Sequence, residues 1–281
     1  LWMFPTLFLL IFLGFPVAFS LIGIAFAFGI FTFGDAVFFQ FISKIEGIAS
    51  NFILAAVPLF VFMGSMLERS GIAQQLFSAI HMWTRKLPGG LAIGAIIMCI
   101  IFAASTGVIG ATESVVGLLA IPAMLKHKYS HSLISGTICA GGSLGTIIPP
   151  SVVVVVLGPI ANVSIGDLMV GMIFPGLILA FLYIIYILIL CTIRPENGPT
   201  ITEEDEIDKL SFNQKIYITF KALVPPLLMI FAVLGSIMFG WAAPTEAAAL
   251  GAGGSLILSF AYKKFTIKTF KEALIKTITV T

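Results

Sequence analysis

The chain has 281 residues, 59% of them hydrophobic and 10% charged, with a formal net charge of +2. Its mean hydropathy is +1.13. Soluble domains carry about 25% charged residues, so an ordinary soluble fold is excluded, and so small a net charge gives no footing for a nucleic-acid partner. The apolar runs are continuous rather than alternating, which excludes a barrel and predicts an all-α integral membrane protein in the lipid bilayer, a multi-span helical bundle.

In chain order, apolar spans are predicted at about 7–30, 52–67, 89–104, 113–125, 132–161, 169–192, 218–241 and 245–262. The first has no basic flank before it and is too long for a signal-peptide core. Residues 35–50 mix aromatic and polar side chains and read as interfacial. Residues 71–86 read as an amphipathic connector. The short runs 89–104 and 113–125 flank a polar, glycine-bearing stretch, 105–112, whose outer ends are basic: Arg85 and Lys86 before, Lys126 and Lys128 after. A re-entrant hairpin over 89–125 explains this, and two short spans joined by an external loop is the other reading. The acidic loop within 194–213 carries Glu203, Glu204, Asp205, Glu206 and Asp208 and reads as solvated surface. Residues 263–281 place Lys264, Lys268 and Lys271 at helical spacing, which reads as a basic amphipathic helix on the inner leaflet.

Tracing the spans through the membrane with the hairpin's open end in the cytoplasm puts every one of the 15 Lys and Arg residues inside except Lys44. The positive-inside rule therefore specifies the orientation, although two full crossings in place of the hairpin would leave it unchanged. Cys99, Cys139 and Cys191 all fall in apolar segments at spacings that suit neither a disulfide framework nor a metal site, and read as packed thiols.

Two stretches could carry chemistry. Around the predicted hairpin tip, Ser105, Thr106 and Thr112 offer hydroxyls, while Gly107 and Gly110 leave carbonyls open. These are hard oxygen ligands for a small cation, and a half-helix starting near Ala111 would point its positive end at the same place. The second stretch runs Gly141, Gly142, Ser143, Leu144, Gly145, Thr146, Ile147, Ile148, Pro149, Pro150, Ser151. Two prolines in mid-span remove two amide donors and interrupt the helix over 132–161. Interrupted helices point to binding sites in secondary transporters, and a bent packing helix is the alternative. Glu113, predicted in the first turn of the returning half-helix, reads as a cation ligand, a proton-linked carboxylate or a helix-start residue. Glu246 and Asp167 read as helix-start and capping residues. His127 and His131 lie four apart among lysines, which repels a metal. No HExxH, GxSxG, P-loop or GxGxxG pattern occurs, and an enzyme is not expected.

The strings AAVPLFVFMGSMLERSGIAQQLF (55–77), STGVIGATESVVGLLAIPAML (105–125), GTICAGGSLGTIIPPSVVVVVLG (136–158), SIGDLMVGMIFPGLILAFLY (164–183) and APTEAAALGA (243–252) together resemble the large, DctM-like membrane subunit of TRAP (tripartite ATP-independent periplasmic) transporters. The resemblance covers nearly the whole chain. It implies a subunit of the bacterial inner membrane that works with a small membrane subunit and a periplasmic solute-binding protein. It implies import of an organic acid, with the tip and IIPPS resembling the dicarboxylate branch, coupled to sodium entry. It also implies an elevator-type half: scaffold-type spans over 1–88, a transport-domain half over 89–161, and further spans over 162–281. The candidate cation and substrate residues are then Ser105, Thr106, Gly107, Gly110, Thr112, Glu113, Gly142, Gly145, Ile147, Pro149, Pro150 and Ser151. A Na+ site is expected at Ser105, Thr106, Gly145 and Ile147, with no cofactor and no other metal. Family members have two inverted halves, whereas a single STG hairpin and a single IIPPS break are found here, so the chain reads as partial. Glu113 stands where the family pattern leads one to expect a small or hydroxyl residue. The alternatives are a non-transporting membrane scaffold or assembly subunit, and an elevator carrier of another family that needs no binding protein.

Overall fold

The computed structural model of the chain describes residues 2–107, 109–200 and 211–281. The acidic run at Glu203–Asp208 therefore lies outside the described residues. Every regular element among the described residues is a helix. The chain divides into two compact units, Leu1–Phe52 and Ile53–Thr281.

The first unit holds α1 (Met3–Phe12), α2 (Val17–Phe33) and α3 (Ala36–Ala49). The span predicted over 7–30 is thus two helices. Gly14 takes φ +90°, and Pro16 biases Phe15 away from helical geometry and donates no amide. Phe26 meets Phe38 and Phe41 edge-on, with ring centroids 5.3 and 5.2 Å apart. Gly29 lets Val37 approach closely. Most other large side chains of this unit are exposed, Phe12 and Phe31 among them, as expected of surfaces that face lipid.

The second unit is built around α4 (Ala56–Arg69), which follows a 3-10 turn at Phe52–Ala55 and is buried from Phe60 to Leu67. Next come α5 (Ile72–Thr84), α6 (Gly90–Thr106), α7 (Ile109–Lys126), α8 (His131–Ile147) and α9 (Val152–Ala161). After these lie α10 (Ile165–Ile193), a 3-10 turn at Pro195–Asn197, α11 (Phe212–Met238), α12 (Pro244–Ala261) and α13 (Ile267–Val280). Helix α5 buries Ile72, Ala73, Leu76, Ala79, Ile80 and Thr84, one face at helical spacing. Among the described residues, three helices are long and apolar enough to cross a membrane: Phe52–Arg69, Ile165–Ile193 and Phe212–Met238. The pair α8 and α9, bent by 43° at its break, makes a fourth. The other predicted apolar runs lie on α1 with α2, on α6, on α7 and on α12.

The two helix starts read from sequence hold. Ser164 accepts the Asp167 amide at 3.3 Å, and the Glu246 carboxylate accepts the Ala243 amide at 2.8 Å. The basic C-terminal segment forms α13, but one of its faces is docked on α4 rather than left to the leaflet. Phe270 meets Phe62 edge-on, Lys276 pairs with Glu68 at 2.5 Å, and Arg69 pairs with Glu272. Cys99 and Cys191 are buried, whereas Cys139 is exposed; it lies on the outer face of α8 and is not packed as expected.

Candidate functional site: a hairpin tip against a broken helix

Helices α6 and α7 pack together as the two arms of a hairpin, and both pack on α8. Their open ends are tied at one place. The Tyr129 hydroxyl, just after α7, accepts the Leu91 amide at the start of α6 at 3.2 Å. The Gly89 amide donates to Gly198 O and the Ser130 amide to Asn197 O, each at 3.0 Å. The α5–α6 turn, the α7–α8 turn and the end of α10 therefore meet, which gathers Arg85, Lys86, Lys126, Lys128 and Arg194 at one end of the bundle. Burial of Tyr129 pushes its phenol up to about 12, so it stays a neutral acceptor there.

At the other end of the hairpin the polar stretch is far shorter than expected. Ser105 and Thr106 finish α6, Ile109 already begins α7, and Gly107 is the one described residue between them outside a helix. Gly107 sits at φ +63° and donates its amide to Ala103 O at 2.9 Å. Glycine is needed here twice over. The backbone is left-handed, and a Cβ would run into the carbonyl oxygen of Pro150.

That contact is the centre of the site. The hairpin tip abuts the α8–α9 break, and the Val152 amide reaches Gly107 O at 3.4 Å, long for a backbone hydrogen bond. The 17 residues of α8 rise about 25 Å, and α9 continues about 15 Å beyond. The tip therefore meets the α8–α9 pair inside its length, at the break. Pro149 and Pro150, joined by a cis peptide bond, have no N–H to give to Gly145 O and Thr146 O four residues earlier. Ser151 is fully buried, and its hydroxyl has no hydrogen-bond partner among the described residues. The place is thus rich in oxygen atoms and poor in donors, which is the chemistry a dehydrated cation needs.

The remaining predicted residues divide. Thr106 donates to Phe102 O at 3.0 Å and meets the Thr112 hydroxyl at 3.1 Å. These two hydroxyls clamp one arm to the other at the tip, and both residues are fully buried. Ser105 donates to Ile101 O at 2.8 Å, and its lone pairs receive no donor among the described residues. Gly145 is buried on α8. Ile147 turns toward α10, where a Cβ on Gly176 would lie 3.2 Å from its side chain and 3.5 Å from its carbonyl oxygen. Gly110 is exposed with nothing within 4 Å of its Cβ position, so it is not drawn into the cluster. Glu113 lies past the first turn of α7, because that helix starts two residues earlier than the expected Ala111; the helix-start reading of this carboxylate is corrected. Its side chain lies against Gly142, where any Cβ would overlap it.

Sequence reasoning missed Gly64. A Cβ there would stand 2.9 Å from Thr106 Cβ, so this glycine lets α4 wall the tip. The signal was available in the FMGSM string, a glycine inside an otherwise bulky apolar helix.

The model of the DctM component of tripartite ATP-independent periplasmic transporters matches residues 4–281. The chain belongs to this family. Among relatives of the DctM-family chain, the C4-dicarboxylate TRAP transporter large permease protein DctM of Pseudomonas aeruginosa is 31% identical over 83% of this chain and 53% of its own length. The protein of the same name in Vibrio cholerae is 34% identical over 82% of this chain and 50% of its own length. The sialic acid TRAP transporter large permease protein SiaM of Vibrio cholerae is 31% identical over 97% of this chain and 62% of its own length. The DctM-family chain thus spans about half the length of the curated relatives it matches. Family and apolar helices together make it a multi-pass inner-membrane protein, and the reading as a carrier of another family is set aside.

Proposed function

We propose that this chain supplies the hairpin-and-break half of the transport site in a TRAP-type secondary transporter. That transporter imports an organic acid delivered by a periplasmic binding protein and works with a small membrane subunit. Sodium entry drives it. The observation that carries the reading is the seat of Gly107 against Pro150, beside the Ser151 hydroxyl, which has no partner among the described residues. Ser105 and the carbonyls of Gly107, Gly145 and Thr146 complete an all-oxygen shell for Na+, while the Thr106–Thr112 clamp holds the tip in shape. Ile147 is the weakest member, since α10 occupies its side. The carboxylate substrate sits next to the cation, whose charge it balances. A dicarboxylate is the proposed class, in line with the printed names of the first relatives. Other relatives are named for sialic acid and for ectoine, so the binding protein, rather than this half-site, sets the choice. The transport-domain half over 89–161 slides as an elevator against the scaffold.

The test is uptake of labelled succinate into proteoliposomes holding the complete transporter and its binding protein, with and without an inward sodium gradient. Uptake that needs sodium, and that is lost in Ser151→Ala and Ser105→Ala while SDS-unfolding midpoints hold, supports the site. Sodium-dependent uptake unchanged by both substitutions refutes it, and uptake indifferent to sodium refutes the coupling.

A further inference from the structure

Away from the hairpin tip, a cavity of about 750 Å³ opens between α8 and α10 at the basic end of the bundle. Its size falls within the roughly 300–1,000 Å³ of small-molecule sites. Its existence is written in α8. A Cβ on Gly136 meets nothing within 4 Å, and the next turn offers only Ala140, so no side chain fills the gap facing α10.

The lining is graded. Leu179 and Leu182 make its wall on α10, Tyr183 and Tyr186 follow one turn on, and Arg194 ends the same helix at the mouth with Asn197 beside it. Across the mouth stand Ser130 and Ser132, at the N-terminus of α8. A helix N-terminus attracts anions, and Arg194 makes no ion pair among the described residues. A second, independent feature lies deeper. Thr137 lines the cavity, is 3% exposed, and its hydroxyl has no hydrogen-bond partner among the described residues. Threonine in a helix has two accessible χ1 rotamers, so one step exchanges its methyl for its hydroxyl at the cavity wall. Thr137 lies seven residues along α8 from Ser130, about 10 Å deeper.

We infer that this cavity binds a phosphate-bearing amphiphile of the inner leaflet, an anionic diacyl phospholipid. The anionic phosphate rests between Arg194 and the first turn of α8. An ester carbonyl about 10 Å further in accepts from Thr137. One acyl chain lies along Leu179 and Leu182. The placement of the basic residues puts the mouth at the cytoplasmic interface, where basic pockets between membrane helices hold anionic headgroups. A free phosphate would use the mouth alone, and would leave the apolar wall and Thr137 unused.

The complete transporter that contains this chain, purified in detergent, is titrated with palmitoyl-oleoyl phosphatidylglycerol, and retained lipid is counted by native mass spectrometry. Parallel titrations use the matching phosphatidylcholine, glycerol 3-phosphate and inorganic phosphate. One phosphatidylglycerol held at least roughly tenfold tighter than phosphatidylcholine is expected, the worth of a charge-assisted contact. Arg194→Gln should erase that preference, and Gly136→Leu, which fills open space without straining the backbone, should remove the retained lipid. Unchanged circular dichroism and gel-filtration profiles show that the variants are folded. Retention undiminished in Gly136→Leu, equal retention of both lipids by the wild type, or displacement of the lipid by inorganic phosphate would each overturn the inference.

Discussion

Replacing Gly107 with alanine tests the centre of the site. Two costs arise together. The residue sits at φ +63°, where an L side chain costs about 1–2 kcal/mol. The new methyl also meets the Pro150 carbonyl oxygen, a backbone atom that cannot swing aside, and such overpacking costs about 1–3 kcal/mol. Gly107→Ala should therefore lose about 2–5 kcal/mol in reversible SDS unfolding in mixed micelles. The control is Gly110→Ala, three residues on, inside α7 with open space around its Cβ position. There the helix should gain about 0.5–1 kcal/mol. If both variants unfold within about 0.5 kcal/mol of the parent, as ordinary surface substitutions do, the tip does not press on the break and the argument for the site fails.

Other perturbations are as direct. Gly142→Ala should cost about 1–3 kcal/mol through overlap with Glu113, and Glu113→Ala in the same chain should restore most of it, measured as a double-mutant cycle. Lys276→Ala should cost only about 0.2–1 kcal/mol, because the Lys276 and Glu68 side chains keep 32% and 20% of their surface exposed; a cycle with Glu68→Ala giving several times more would mean a buried pair. Tyr129→Phe strands the Leu91 amide at the start of α6 and should cost about 1–3 kcal/mol. Burial lifts the Tyr129 phenol from 10 to about 12. The fold favours its neutral form, so that contribution is intact below pH 10 and is lost as pH rises through 12. The stability gap between parent and Tyr129→Phe should shrink over that window and stay flat below it.

Much of this was legible in the sequence because membrane insertion leaves few options. Continuous apolar runs fixed helices, basic ends marked one side, and the Pro149–Pro150 pair announced a break that α8 and α9 duly show. Three features were not legible, each for a physical reason. The break at Gly14–Pro16 was hidden by an apolar run that hydropathy alone cannot divide. The tip looked eight residues long because Ser, Thr and Gly read as loop formers, yet Ser105 and Thr106 bond back to carbonyls four residues earlier and so continue α6. The docking of α13 depends on Arg69 and Glu68, which are more than two hundred residues away in sequence, and no local periodicity announces such a partner.

What the structure adds to the candidate residues is a division of labour. Hydroxyls alone would not single out a cation site, because a buried threonine or serine usually spends its proton on a nearby carbonyl. Thr106 and Thr112 do so with each other and with Phe102, and their work is to hold two helix ends at a fixed separation. The free capacity lies instead in the backbone, at carbonyls that prolines have deprived of donors and at Gly107 O, which receives only a long contact from Val152 across the gap between tip and break among the described residues. A site made this way is sensitive to the distance between tip and break, and that distance is governed by Gly107 and by Gly64 behind Thr106. Gly64→Ala should therefore weaken sodium-dependent uptake, though less than loss of the Ser151 hydroxyl does, even though Gly64 offers no ligand. The distinguishing readout is the sodium concentration for half-maximal uptake. It should rise in Gly64→Ala, where the shell is loosened, and leave no saturable dependence in Ser151→Ala, where a ligand is gone. The same half-maximal concentration in parent and Gly64→Ala would show that the wall of α4 takes no part in setting the shell.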